Sequence, residues 1–375
     1  MSAACIVAAR RTAVAPRNGA FGMVEVAELA EAPIRTLLAD ANLAPEQIDE
    51  VILGNALYGG GNPARLAALR AGLPDHVPAI TIDSQCCAGL DAVMLAADRI
   101  ASGSAQIVIA GGLESFSRSP LRLRRPSHAS EPPEPYDRPP FAPWPARDPD
   151  MIEAAADLAA THHITRAAQE AFAIESHRKA LHRRAGTGEI VAVNGLSHDA
   201  FTRTLTSALC RRLAPLAGDA DCGVTRATIA VEADAAAALL VVSETMAERL
   251  EAARPLRIAG HARRGGDPAM PGTAPIAAAH ALLAAHDIAP AAIAVAEIME
   301  AFAAQAIACI EGIGLVPGCV NRGGGALARG HPIGASGAIL AVRLWHEMQD
   351  EPSGAKGLAA IAAAGGLGSA LLLAS

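Results

Sequence analysis

Two residues of the sequence have the side chains and surroundings that nucleophilic catalysis requires. Cys86 follows an apolar run over 79–82, which predicts a buried strand, and precedes a helical pattern that begins near Gly89. The sulfur is therefore expected at a strand-to-helix turn, where a helix N-terminus favours the reactive thiolate. His331 lies between glycines that permit close approach of the backbone to a ligand. A thiol and an imidazole in these positions predict a nucleophile and its base. The alternatives are a buried core cysteine at Cys86 and a capping or core histidine at His331.

The same two residues occupy equivalent positions in an internal repeat. Segment 43–48 recurs as 288–293, and the same shift along the chain places Cys86 on His331. A chance match of alanine-rich strings is the alternative for any one segment, but several matches in order at one shift favour two homologous halves. If a pseudo-twofold axis relates the halves, thiol and imidazole meet across their interface.

The elements around these residues predict an α/β architecture in each half. Helical runs follow the two residues, over 90–100 and 335–348, and strands are predicted beyond them over 106–110 and 357–362. Paired glycines follow both strands. The order of elements is the same in the two copies, which supports the repeat.

A segment of different composition separates the halves. Residues 117–149 are rich in Pro and Arg, which predicts a loop, and 151–184 predicts two helices. The arginines of this loop either steer an anionic ligand or form a solvated surface. The predicted division is 1–117 together with 234–254 for the N-terminal half, 118–233 for an inserted loop domain, and 255–375 for the C-terminal half.

Composition excludes several classes of function. A chain of 375 residues with 51% hydrophobic residues has enough material for two sizeable cores. The formal charge of -7 and the 3% aromatic content predict no nucleic-acid partner. No charged, apolar leader and no run of about 18 apolar residues is present, so a cytoplasmic location without a membrane partner is predicted.

Cofactor and metal sites are not predicted either. The seven cysteines show no C-x-x-C spacing, which argues against a disulfide framework and a zinc site. No G-x-G-x-x-G follows the first strand, which argues against a nicotinamide-binding enzyme.

Four motifs in order resemble the thiolases, over nearly the full chain and most weakly over 117–150 and 185–235. The Gly-His-Pro motif is the most specific of them. The motifs are Asn-Pro-Ala-Arg at 62–65, Gly-Gly-Leu-Glu-Ser at 111–115, Glu-Ala-Phe-Ala-Ala-Gln-Ala at 300–306 and Gly-His-Pro-Ile-Gly-Ala-Ser-Gly at 330–337.

The resemblance implies a fold and an activity. The expected thiolase fold has two pseudo-symmetric βαβαβαββ halves in an α-β-α-β-α arrangement of five layers, with an inserted loop domain that binds coenzyme A. Homodimers or homotetramers are expected, with acyl-CoA or another acyl thioester as substrate and no permanently bound cofactor. By resemblance Cys86 takes the acyl group, His331 activates it, and the backbone N–H groups of Cys86 and Ala364 stabilise the thioester oxyanion. Met151 and Phe302 match positions near the acyl pocket.

Several positions depart from the family pattern. Ala362 replaces a second cysteine that moves protons, and Met299 replaces an asparagine with a side chain that donates no hydrogen bond. Ala230 stands where a serine would contact the pantetheine arm. An arginine typical of the phosphate end matches Ala214, and Arg212 nearby is the candidate partial replacement.

These residues predict an acyltransferase that forms an acyl-thioester on Cys86 and passes the acyl group to CoA or another acceptor. General acid–base catalysis contributes roughly 100-fold to 10,000-fold, so classical thiolysis and Claisen condensation are expected to be weak while acylation persists. A thioester hydrolase and a catalytically weak structural or binding subunit are the alternatives. Cys309 and Cys319 are expected to be core residues.

Overall fold

The computed structural model of the protein describes residues 3–183 and 188–375, so Arg184, predicted at a helix end, lies outside the described residues. The first part of the chain alternates strands and helices, as the hydrophobic pattern predicts. Its elements are β1 (Ala4–Thr12), β2 (Ala15–Pro16), α1 (Val26–Asp40), β3 (Glu50–Gly54), α2 (Pro63–Arg70), β4 (Ala79–Ile82), α3 (Ala88–Ala101) and β5 (Ile107–Ser115).

The segment between the halves contains little sheet. The predicted loop over 117–149 has irregular backbone with two very short strands. The two helices predicted over 151–184 follow it. Asp150 and Thr165 cap these helices by accepting from backbone N–H groups of the first turn. The elements are β6 (Leu123–Arg124), β7 (Glu134–Pro135), α4 (Met151–Thr161), α5 (Arg166–His182), β8 (Ile190–Val191) and α6 (Ser207–Cys210).

The last part of the chain completes the first half and builds the second. Its elements are β9 (Ala233–Ser243), α7 (Glu244–Arg249), β10 (Leu256–Gly265), α8 (Ala274–Ala285), β11 (Val295–Ile298), α9 (Ala303–Ile313), α10 (Ala326–Arg329), α11 (Ile333–Met348), β12 (Lys356–Ala363) and β13 (Leu367–Ala374). None of the helices in the two described ranges is long and apolar enough to cross a membrane.

The strand order confirms the repeat of two α/β halves. The first half has the order β1-β9-β5-β3-β4, and the second has the corresponding order β10-β13-β12-β11. A single bridge between Ala296 and Val320 stands where the fifth strand of the second half would be. Pairing of β1 with β10 through Cys5–Arg257 and Ile6–Leu256 joins the two halves into one continuous strand path.

The helices form layers around these strands. Helix α1 packs on β5 and β9 at one outer face, and α8 packs on β10 and β13 at the other. Helices α3 and α11 pack against each other and contact strands of both halves. Three separate hydrophobic clusters fill the two outer interfaces and the centre. The predicted five-layer arrangement follows from this packing.

Glycines allow the two central helices to approach until their backbones touch. A Cβ at Gly89 of α3 would lie 2.6 Å from the backbone nitrogen of Ala338 on α11. A Cβ at Gly337 would overlap the backbone nitrogen of Leu90, and one at Gly112 would overlap the carbonyl oxygen of Gly334. Because backbone atoms cannot rotate away, only glycine fits these three positions.

A buried ionic cluster connects both halves to the segment between them. Glu189 and Asp199 of that segment pair with Arg11 of the first half, and Arg343 lies 2.6 Å from Glu189. Arg329, near the start of α11, lies 3.2 Å from Asp199. Burial alone would raise the pKa of Asp199. The guanidinium groups of Arg11 and Arg329 outweigh this effect and hold that pKa below its usual value. Buried ion pairs need not add net stability, but removing one partner would leave an uncompensated buried charge.

Gly337→Ala is expected to lower the thermal unfolding midpoint, because the new methyl group forces α3 and α11 apart. Overpacking of this kind costs about 1–3 kcal/mol. Gly318→Ala is the matched control, since no atom lies within 4 Å of the added Cβ and the backbone conformation is ordinary. Equal midpoints for the two variants, measured by circular dichroism, would contradict the helix-contact constraint.

Candidate active site

The close helix contact brings two helix N-termini together with one candidate residue at each. Cys86 stands two residues before α3, and His331 stands two residues before α11. The Sγ atom of Cys86 lies 3.2 Å from Nε2 of His331. The two residues that the repeat equates therefore form a hydrogen-bonded pair across the interface of the halves.

A serine on α11 orients the imidazole. Ser336 Oγ lies 2.7 Å from Nδ1 of His331 and donates its own proton to the carbonyl oxygen of Pro332 at 3.0 Å. A hydroxyl has one proton, so Oγ accepts from Nδ1–H of the imidazole. This network assigns the tautomer in which Nε2 is unprotonated and faces the thiol, as a general base requires. Sequence reasoning did not assign this role to Ser336.

Burial keeps both partners uncharged at rest. Desolvation raises the pKa of Cys86 to about 12 and lowers the pKa of His331 to about 4. Cys86 is partly exposed, but it faces an apolar cavity. The resting pair is therefore a thiol and a neutral imidazole, and the thiolate forms only when His331 removes the proton.

Two backbone N–H groups face the sulfur. Those of Cys86 and Ala364 act to lower the pKa of the Cys86 thiol, against the larger effect of desolvation. Gly365 and Gly366 both have positive φ, near 79° and 80°, and form the turn that directs the Ala364 N–H toward the site. Gln85, which precedes Cys86, also has positive φ, at 55°, which makes the turn from β4 to α3 sharp. These two groups can donate to an oxyanion on a carbon bonded to Sγ.

A buried carboxylate from the first half holds the start of α11. Glu114, which is 1% exposed, accepts hydrogen bonds from the backbone N–H of Gly334 at 2.9 Å and from the side chain of Asn55 at 2.8 Å. Burial raises its pKa to about 7. Glu114 belongs to the Gly-Gly-Leu-Glu-Ser motif, whose structural role the sequence alone did not show.

A cavity of about 190 Å³, here called the site cavity, opens beside the pair. Of the predicted residues, Met151, Ala230, Phe302, Ala362 and Ala364 line it with Cys86 and His331. Among the described lining residues, Cys86 and His331 are the only titratable groups. The remaining lining residues are Gln85, Phe141, Ala154, Ala155, Leu158, Ile229, Pro271, Gly272, Ala301, Gln305, Ile333 and Ala363.

Two predicted positions lie elsewhere. Met299 is 1% exposed, packs in the central hydrophobic cluster that also contains Cys87, and does not line the site cavity. Arg212 is exposed and does not line the cavity either. Cys309 and Cys319 are buried outside the lining, and burial raises the pKa of Cys309 to about 12, so neither supplies a second base at the described cavity wall.

Comparisons with known proteins agree in one family. The N-terminal thiolase domain matches residues 4–245 and the C-terminal thiolase domain matches 254–375. The chain is 40% identical to the putative acetyl-CoA C-acetyltransferase YhfS of Bacillus subtilis, over 98% of each chain. It is 35% identical to the putative acetyl-CoA C-acetyltransferase VraB of Staphylococcus aureus strain MRSA252, over 99% of each. A crystal structure of the Bacillus anthracis acetyl-CoA acetyltransferase matches with a TM-score of 0.92 and 32% identity, over 100% of this chain and 99% of that one.

Alkylation of Cys86 by iodoacetamide is expected to accelerate steadily up to about pH 9. The thiolate is the reactive form, and the pKa of the thiol is about 12, so its ionised fraction grows throughout this range. The measurement is the rate of mass gain on the Cys86 peptide, with Cys86→Ala as the control for other thiols. A rate that is already constant above about pH 5 would instead indicate a resting thiolate–imidazolium pair.

Proposed function

Because the chain belongs to the thiolase family, we propose that it forms an acyl-thioester on Cys86 from acyl-CoA and transfers the acyl group to a thiol acceptor, either CoA or another thiol. The observation that carries this proposal is the 3.2 Å contact between Cys86 Sγ and His331 Nε2, with the unprotonated nitrogen facing the thiol. Acyl transfer through a covalent intermediate requires a nucleophile and a base that is oriented toward it.

Acylation uses groups already in place. His331 Nε2 takes the thiol proton as Sγ attacks the thioester carbonyl, and the N–H groups of Cys86 and Ala364 donate to the oxyanion. Collapse of the tetrahedral intermediate breaks the bond to the CoA sulfur, which takes the proton from His331. The products are acyl-Cys86 and free CoA, with the imidazole neutral again.

Transfer to a second thiol is the same reaction in reverse. His331 takes the proton of the incoming thiol, the new sulfur attacks the acyl carbon, and Cys86 leaves and regains the proton. One base therefore serves both steps. Carbon–carbon bond formation differs, because a proton must also leave the α-carbon of a second substrate, and an alanine methyl at Ala362 faces the site cavity where the family has its second cysteine.

The altered positions favour thioester exchange over classical thiolase chemistry. Ala362 cannot exchange a proton, and Met299 is part of the hydrophobic core. Loss of one acid–base group alone slows a step by roughly 100-fold to 10,000-fold. The same substitutions also favour the alternative of a catalytically weak structural or binding subunit. That alternative does not explain why the thiol and the imidazole are oriented toward each other.

We further propose that residues 118–233 act as a substrate-side domain in a homodimer or homotetramer. Helix α4, from this segment, supplies part of the cavity wall. Among the described strands, β4 is the last of its sheet, and Leu66 and Leu69 of the adjacent helix α2 are 42% and 40% exposed. An edge strand beside exposed leucines fits a second copy of the chain. The cytoplasmic location stays a prediction.

Incubation with acyl-CoA is expected to add the acyl mass to Cys86, as measured by intact-protein mass spectrometry. Cys86→Ala should remove the adduct, and His331→Ala should slow its formation by about 100-fold or more. Cys222→Ala is the matched control, because this partly exposed thiol lies outside the cavity lining and its loss should leave the adduct unchanged.

The isolated acyl-enzyme then separates the alternatives. Addition of pantetheine is expected to release the acyl group as the pantetheine thioester. Release as the free acid without any thiol would indicate a hydrolase. A folded protein that forms no adduct with any acyl-CoA would contradict the acyltransferase and favour the structural or binding subunit.

Ala362→Cys is expected to increase thiolysis of acetoacetyl-CoA by roughly 100-fold, because it places an acid–base thiol on the cavity wall. Ala362→Ser is the matched control, since a hydroxyl of similar size has a much higher pKa. The coupled assay measures acetyl-CoA formation under identical conditions. Fast thiolysis by the unaltered protein, or equal rates for both variants, would show that residue 362 does not limit this chemistry.

A further inference from the structure

The helix that follows His331 has no capping side chain of its own. Pro332 stands at the N-cap of α11 and makes no side-chain hydrogen bond there. Its carbonyl oxygen accepts from the backbone N–H groups of Ala335 and Ser336, both at 2.9 Å. The first N–H groups of a helix have no partner within the helix. The N–H of Gly334 therefore depends on an acceptor from another element.

Glu114, on strand β5 of the first half, supplies that acceptor. Its Oε2 accepts from the backbone N–H of Gly334 at 2.9 Å and from that of Ala56 at 3.0 Å. Its Oε1 accepts from Nδ2 of Asn55 at 2.8 Å. A Cβ at position 334 would lie 2.9 Å from Oε2, so glycine allows this close approach. The carboxylate thus links the half that carries Cys86 to the first turn of α11.

The same first turn orients the imidazole. Ser336, which accepts from Nδ1 of His331, stands two residues after Gly334. A displacement of this turn therefore moves Nε2 of His331 relative to Sγ of Cys86. Glu114 is absent from the described lining of the site cavity, so any effect that it has on the chemistry passes through other residues.

We propose that Glu114 is a positioning residue for acyl transfer, whose carboxylate fixes the first turn of α11 so that Nε2 of His331 stays within hydrogen-bonding distance of the Cys86 thiol. This inference rests on the acyl transfer proposed above and deepens it. The carboxylate is required because donors face both of its oxygens, and an ionised carboxyl group has acceptors only.

The neighbours of Glu114 do not adapt to an amide in its place. Nδ2 of Asn55 also donates to the carbonyl oxygen of Leu113 at 2.9 Å, and its Oδ1 accepts from the N–H of Tyr58 at 3.0 Å. Rotation of the Asn55 amide would break both bonds. In Glu114→Gln, the new NH2 group therefore faces either Nδ2 of Asn55 or the N–H of Gly334. Either orientation loses a hydrogen bond of the link.

The test is a double-mutant cycle on the rate of Cys86 acylation by acyl-CoA, measured by intact-protein mass spectrometry. The measurements are made at about pH 8.5, where Glu114 is ionised because burial raises its pKa only to about 7. Glu114→Gln should lower the maximal rate by about tenfold, since a misplacement of about 1 Å costs up to about 100-fold. The acyl-CoA concentration at half-maximal rate should not change.

The decisive comparison is made in the His331→Ala background. Glu114→Gln should have no further effect there, because the base that it positions is already absent. A residue that merely supports the fold would slow the residual acylation as well. The unfolding midpoint of each variant, measured by circular dichroism, shows whether it is folded.

Glu297→Gln is the matched control. This glutamate is also buried on a strand, burial raises its pKa to about 7, and it lies outside the described cavity lining. Its replacement should leave the acylation rate unchanged. If Glu114→Gln does not fold, Glu114→Asp replaces it in the cycle. Asp keeps the charge but withdraws it by one methylene, and its effect should likewise disappear in the His331→Ala background.

Unchanged acylation by folded Glu114→Gln would overturn the positioning role while leaving acyl transfer intact. Equal slowing with and without His331 would overturn it too, because the effect would not pass through the base. Absence of acylation in the unaltered protein, with every acyl-CoA, would overturn the proposed function itself.

Discussion

The backbone contact between α3 and α11 is the constraint on which the site depends. Gly89 and Gly337 allow the helices to touch, and Gly112 brings strand β5 against the start of α11. Cys86 and His331 stand just before the two helices, so the helix contact determines their 3.2 Å separation. Neither half contains both residues. The pseudo-twofold arrangement therefore creates the thiol–imidazole pair.

Desolvation then decides how this pair works. The apolar wall that raises the pKa of Cys86 and lowers that of His331 also strengthens each hydrogen bond to a developing oxyanion. The same desolvation disfavours a thiolate in the resting protein, so negative charge appears only during attack on the carbonyl. A neutral thiol is also less susceptible to oxidation than a thiolate. In the proposed acyl transfer, the same surroundings favour a thiol that stays protonated until a thioester is present.

The sequence predicted the parts of the site that depend on local pattern or on the repeat. Cys86 and His331 follow from a repeat that the strand order reproduces, and the turns before both helices follow from hydrophobic periodicity. Ser336 and Glu114 were not assigned, because their partners are set by the close approach of two helices and a strand. The pairing of Glu189 with both Arg11 and Arg343 was not predicted either, because these residues are far apart along the chain.

Met299, which the resemblance predicts to stand in place of an asparagine, shows why such a difference has to be interpreted in three dimensions. A lost polar group at an active site leaves either a gap or a new contact, and here the thioether joins the central hydrophobic cluster with Cys87. The thioether therefore belongs to the core, whereas Ala362 is the position that leaves His331 as the single candidate base at the described cavity wall. A site with one base and apolar walls disfavours steps that remove a proton from carbon, and it also disfavours attack by water. In the proposed reaction, an acyl-thioester on Cys86 is therefore protected until a thiol enters the cavity.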